Sequence, residues 1–69
     1  MKIIFIIQDV KTKEYYYMGD GVEGFSPIVS SAHTFYTEQA AEEFILCESE
    51  WRNLFERRRI EIKKYYSSL

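Results

Sequence analysis

Cysteine occurs once in this chain, at position 47, and histidine once, at position 33. One cysteine excludes a disulfide within the chain, and two soft ligands fall short of the about four that a structural zinc requires. Small folds commonly lean on one or the other, because a chain of this size buries only about 60% of the surface its unfolded form exposes. A lone cysteine also suits a reducing compartment, so the expected location is the cytoplasm. Long apolar runs are missing too. The longest, Ile3-Ile4-Phe5-Ile6-Ile7, stops at Gln8-Asp9, below the ~7–15 residues of an export signal and far below the ~20 of a membrane span. Charge of one sign is also scarce: nine basic and eleven acidic side chains leave a net charge of −2. That balance does not advertise nucleic acid as a partner and is too mild for a mimic of it.

What the chain has in quantity is aromatic surface: six Tyr, five Phe and one Trp in 69 residues. Dense aromatic packing or association with another chain is therefore the expected source of stability. Ile3 to Ile7 is bulky and β-branched, as in a strand covered on both faces. Polar residues 9–13 read as a turn around Lys11-Thr12, and Glu14-Tyr15-Tyr16-Tyr17-Met18 as the second strand of a hairpin. All three glycines fall in 19–24, which reads as a loop, and Pro27 limits residues 25–30 to an edge strand at most. Thr37 has the side chain of a helix N-cap. Apolar residues at 40, 44, 47, 51, 54 and 55 then trace one stripe, which predicts a single helix from Glu38 to about Phe55. Ile60 and Ile62 alternate with Glu61 and Lys63, the pattern of a half-buried final strand; extension of the helix through Lys64 is the competing reading. The expected architecture is α+β, one domain over 1–69, in two layers. An antiparallel sheet of the N-terminal hairpin plus the C-terminal strand is covered on one face by a single long helix.

The stretch Ala32-His33-Thr34-Phe35-Tyr36-Thr37-Glu38-Gln39-Ala40-Ala41-Glu42-Glu43-Phe44-Ile45 resembles a pattern found in small uncharacterised phage and prophage proteins of ββαβ type. In these a Phe-x-Thr step leads into a helix with Glu-Ala pairs, a Tyr-rich hairpin comes before it and a short strand follows. The resemblance covers most of the chain and rests on structural motifs. It implies a phage or bacterial-cytosol setting and transfers no catalytic residue.

Gly19-x-Gly21-x-x-Gly24 matches the dinucleotide fingerprint by letter, but that chemistry needs a helix opening directly after the glycines so that its free amides meet the pyrophosphate. Phe25-Ser26-Pro27 follows instead, so the glycines read as a loop taking positive φ, and no cofactor is expected. Cys47, on the apolar stripe between Phe44 and Trp51, reads as a buried, inert thiol. His33 has Ser30 and Ser31 near it in sequence but no acidic residue at a spacing that would orient it. Glu38, Glu42 and Glu43 read as a solvated helix face favoured by the helix dipole. No catalytic or metal-binding residue is predicted, and the chain is expected not to be an enzyme.

The hairpin is the informative feature. Ile3, Phe5 and Ile7 lie on one face of the first strand and Ile4 and Ile6 on the other, while Tyr15 and Tyr17 oppose Tyr16 and Met18. Both faces are apolar, and one helix covers only one. The other must meet residues 25–29, the C-terminal tail or another chain, and an apolar patch of that kind marks an interface. The expected function is protein interaction, with homodimer formation, through Ile4, Ile6, Tyr16, Trp51, Tyr65 and Tyr66. The alternative is nucleic-acid binding, with Arg57, Arg58, Arg59, Lys63 and Lys64 on phosphates and Tyr65 and Tyr66 stacking on bases. The bland account of the same cations is a helix C-terminus and a guarded strand edge.

Overall fold

The fold was obtained as a computed structural model, which describes residues 2–67. Its strands are β1 (Lys2–Asp9), β2 (Tyr15–Gly19), β3 (Val22–Ser26) and β4 (Ile60–Ser67), with helices α1 (Glu38–Leu46) and α2 (Ser49–Glu56) between β3 and β4. A single turn of 3₁₀ helix, Val29–Ser31, follows β3. The four strands form one antiparallel sheet in the order β3-β2-β1-β4. The architecture is therefore α+β with an antiparallel sheet, as the pattern predicts, but it carries two helices rather than one long one.

The turn between β1 and β2 is held by its own side chain. Asp9 Oδ1 accepts from the amides of Lys11 at 2.8 Å and Thr12 at 2.9 Å, an Asx-type arrangement that also holds the Asp9 carboxyl below its ordinary value. Beyond the Gln8–Tyr15 pair the two strands separate. Residues 33–35 enter the gap: the amide of His33 donates to the carbonyl of Tyr16 at 2.9 Å, and Phe35 and Phe5 exchange backbone bonds of 2.8 Å each. The third strand arises where a loop is predicted. Asp20 and Gly21 take φ of 53° and 77°, the pair of positive values that a two-residue type I′ turn needs, and Gly19 pairs with Val22 across it.

Thr37 caps α1 as its hydroxyl predicts, accepting from the Ala40 amide at 3.0 Å. The helix ends at Cys47 because Glu48 turns extended, with φ −114° and ψ 130°. Cys47 and Ser49 are weak helix formers, and the change of direction between them lets α2 return to the sheet. The break also shifts the stripe: Ala41 and Ile45 are fully enclosed, while Ala40 and Cys47 are exposed. The buried thiol expected at position 47 is thus a surface one. At the end of α2, Arg58 stands at φ 60°, with Arg58 N–H bonded to Phe55 O and Arg59 N–H to Leu54 O. This is a Schellman ending carried by an arginine where glycine is usual, at a cost of about 1–2 kcal/mol. Backbone direction then reverses into β4, so residues 60–67 are strand and not helix.

The core lies between the helices and one face of the sheet, around Ile7, Tyr16, Phe35, Ala41, Ile45 and Ile60. Tyr16 is its hub. Its ring meets Trp51 edge-on at 4.7 Å and Phe44 at 5.4 Å, with Phe25 at 6.0 Å, and its hydroxyl donates to Glu23 at 2.8 Å. Burial and the hydrogen-bonded Glu23 carboxylate push the phenol well above its ordinary value.

Candidate functional site

Alternation along each strand assigns the opposite face. Ile4 pairs with Tyr65, Ile6 with Lys63 and Gln8 with Glu61, so these side chains point away from the helices, and Tyr15, opposite Gln8, joins them. Phe35 pairs with Phe5 toward the core, which leaves Thr34 and Tyr36 on the open side. Residues 29–34 pass along that side. The result is a half-open groove of about 600 Å³ lined by Lys2, Ile4, Ile6, Val29, Ser30, Ala32, Thr34, Tyr36, Tyr65 and Tyr66.

Its floor is aliphatic. Ile6 is 1% exposed although it lies outside the helix-covered core, whereas Tyr36 on the wall is 69% exposed; Tyr66, opposite Ile3 and so directed to the other face, borders only the end of the groove and is 62% exposed. Tyr65 is fixed by its hydroxyl, 3.2 Å from that of Tyr15, with the two rings edge-to-face at 6.4 Å. That hydrogen bond, with some desolvation, raises the Tyr65 phenol above its ordinary value. Lys2 Nζ stands 5.1 Å from the centre of the Tyr36 ring, within cation–π range, and puts a positive charge on the rim. An apolar floor, aromatic walls and one cation suit an apolar segment that carries a carboxylate.

The structure brings four of the predicted interface residues, Ile4, Ile6, Tyr65 and Tyr66, to this groove, but Ile6, 1% exposed, is sealed beneath it and offers a partner almost no surface. It separates the other two. Tyr16 is fully buried on the helix side, because its neighbours 15 and 17 take the open face, and it offers no surface for a partner. Trp51 is half-buried against Tyr16 and stacks on Phe25 at 5.9 Å and 19°. Lys2, Val29, Thr34 and Tyr36 were not legible as site residues. The available signal was the Thr34-Phe35-Tyr36 alternation, which points two side chains to one face once Phe35 is placed in the core.

The basic set divides as well. Arg57, Arg58 and Arg59 stand at the α2 end of β4 and Tyr65 and Tyr66 at the other, separated by about 20 Å of strand at roughly 3.3 Å per residue. Lys63 lies on the open face 3.7 Å from Glu61 Oε1, and Lys64 faces the helix side with its Nζ 5.7 Å from the Tyr66 ring centre. His33 is packed edge-on to Phe35 at 4.8 Å. Among the described residues, no three His, Cys, Asp or Glu side chains stand together as a metal site would require, and no helix is long and apolar enough to cross a membrane.

Comparison with known proteins returned no matching family model, no matching curated protein and no matching solved structure.

Proposed function

We propose that this chain is a non-enzymatic interaction module that binds a protein partner through the groove on the open face of its sheet and also associates with itself. The observation that carries the reading is the groove, a pre-formed apolar channel walled by the exposed Tyr36 and the half-buried Tyr65 on a face the helices leave free. Exposed apolar surface that is contiguous and edged by polar groups is the usual mark of a binding surface. The partner chemistry that fits is an apolar or aromatic segment with an acidic residue placed to meet Lys2. The resemblance to phage and prophage proteins supports a bacterial host protein as that partner and the cytosol as the setting.

The test is capture from a bacterial lysate by the wild-type chain, by Ile4→Glu and by Tyr36→Ala, each first shown to fold by circular dichroism. A partner held by the wild type and lost by both variants is the expected result. A partner retained equally by all three moves the binding surface away from the groove.

A second reading, nucleic-acid binding, is favoured by one observation. Lys2 over Tyr36 and Lys64 beside Tyr66 put two cation–aromatic pairs at the same end of the sheet, where Ile3 pairs with Tyr66. Such pairs suit a single strand, with bases on the rings and phosphates on the amines. This reading requires binding to a generic oligonucleotide that weakens steeply as salt is raised; no binding at low salt removes it.

A further inference from the structure

β4 is an edge strand eight residues long, and among the described residues it pairs with β1 alone. The direction of its backbone groups follows from bonds at its start and beside it. Val10 N–H donates to Arg59 O at 2.9 Å, so 59, 61, 63 and 65 bond toward β1. Phe5, opposite Lys64, gives its own amide and carbonyl to Phe35 on the far side, in agreement with that alternation. The amides and carbonyls of Ile60, Ile62, Lys64 and Tyr66 therefore line the outer edge. An edge of this length is a template for another strand.

The side chains select which strand. We propose that β4 pairs antiparallel with β4 of a second copy about a two-fold axis through Ile62, making one continuous sheet across the dimer. In this register Ile62 meets its own copy and Ile60 meets Lys64, all through outward-facing backbone groups. On the open face Glu61 of each chain stands directly opposite Lys63 of the other, in the closer, non-hydrogen-bonded type of pair. The contact is thus self-complementary, as a two-fold interface must be. The neighbouring two-fold registers are not: centring on residue 61 sets Glu61 against Glu61, centring on residue 63 sets Lys63 against Lys63, and centring on residue 64 sets Lys64 against Lys64. Shifts by a single residue put outward amides against inward ones. The Lys63–Glu61 ion pair within each chain, 3.7 Å apart, becomes half of an alternating four-charge cluster across the axis. β3, the opposite edge, has five residues, Gly24 among them, and offers no such repeat.

This inference rests on the self-association part of the reading above and is independent of the groove, since the edge lies in the plane of the sheet and the groove on its face. The experiment is sedimentation equilibrium over a concentration series for wild type, Glu61→Lys, Lys63→Glu and an equimolar mixture of the two variants, with circular dichroism confirming that each folds. The wild type is expected to approach twice 8.3 kDa at high concentration, with association weakening as salt is raised. Each variant alone places like charges opposite one another and should remain monomeric. The mixture restores both opposite-charge pairs and should recover the doubled mass. A wild type that stays at 8.3 kDa throughout overturns the dimer. Association of Glu61→Lys at wild-type strength overturns the register, because only the axis through Ile62 sets residue 61 against 63. Neither result touches partner capture by the groove, which Ile4→Glu and Tyr36→Ala report separately.

Discussion

On the helix side of the sheet Ile7, Tyr16 and Ile60 are closed off almost completely, whereas on the other side Ile4, Tyr65 and Tyr36, of much the same residue types, border an open channel. The strands supply both sets by simple alternation, so strand composition does not distinguish the faces. What distinguishes them is the layer that arrives: two helices bring Ala41, Phe44, Ile45, Trp51 and Leu54 to one side, and a stretch with little regular structure, residues 29–34, only partly roofs the other. Apolar residues on both faces of a strand do not say which face the chain's own helices will cover; the connections between the strands decide that.

This contrast is sharpest at Tyr16. Tyr16→Ala should cost about 3–5 kcal/mol, because the rings of Trp51, Phe44 and Phe25 would border a cavity. Urea unfolding measures it, and a loss below about 1 kcal/mol would mean that the helix side is no better organised than the open side. Ile6→Ala should follow with about 2–4 kcal/mol, since Ile6 is sealed despite lying on the open face. A loss of only a few tenths would show that residues 29–34 do not seat over it.

Alkaline pH offers a graded version of the first comparison. The folded-state value of Tyr16 is raised, so its contribution is intact below the ordinary value of 10.0 and is lost as pH climbs beyond it. Melting temperature should fall above pH 10, and in Tyr16→Phe that fall should be shallower. Tyr15→Phe removes the hydrogen bond to Tyr65 on the open face, for about 0.5–1.5 kcal/mol, and should bring the Tyr65 titration back toward its ordinary value. At the small end, Tyr36→Ala should change stability by no more than about 0.5 kcal/mol, because the side chain is largely in water. A larger loss would make Tyr36 part of the fold rather than of its surface.

Much of the layer plan was readable in advance. Ile3 to Ile7, the Ile60–Ile62 alternation and the Thr37 cap each have one dominant local explanation, and each appears as expected. β3 was missed because three glycines read as a loop, although Asp20-Gly21 between Met18 and Val22 is itself a hairpin signal whose two positive φ values only such residues accept cheaply. The break at Glu48 was missed because helical periodicity ran on across it, and the direction of a helix after a weak segment is set by the sheet it packs on. Of the site, Ile4 and Ile6 were found by strand alternation, while Tyr65 and Tyr66 were named together although alternation sends them to opposite faces, Tyr65 opposite Ile4 and Tyr66 opposite Ile3. Tyr36 and Val29 were not found, since only the insertion of Phe35 beside Phe5 brings their segment to that face.

Strand order has a consequence for how the molecule is made. β1 is synthesised before β4, yet along its whole length its partner is β4, from Lys2 opposite Ser67 to Asp9 opposite Ile60, while its ladder with β2 is limited to the end around Gln8 and Tyr15. Until residue 67 has emerged from the ribosome, the most apolar run of the chain waits with one side unpaired. Closing a loop of this length comes late and slowly relative to local hairpins. The nascent chain is thus expected to be most prone to aggregate in the interval before β4 emerges.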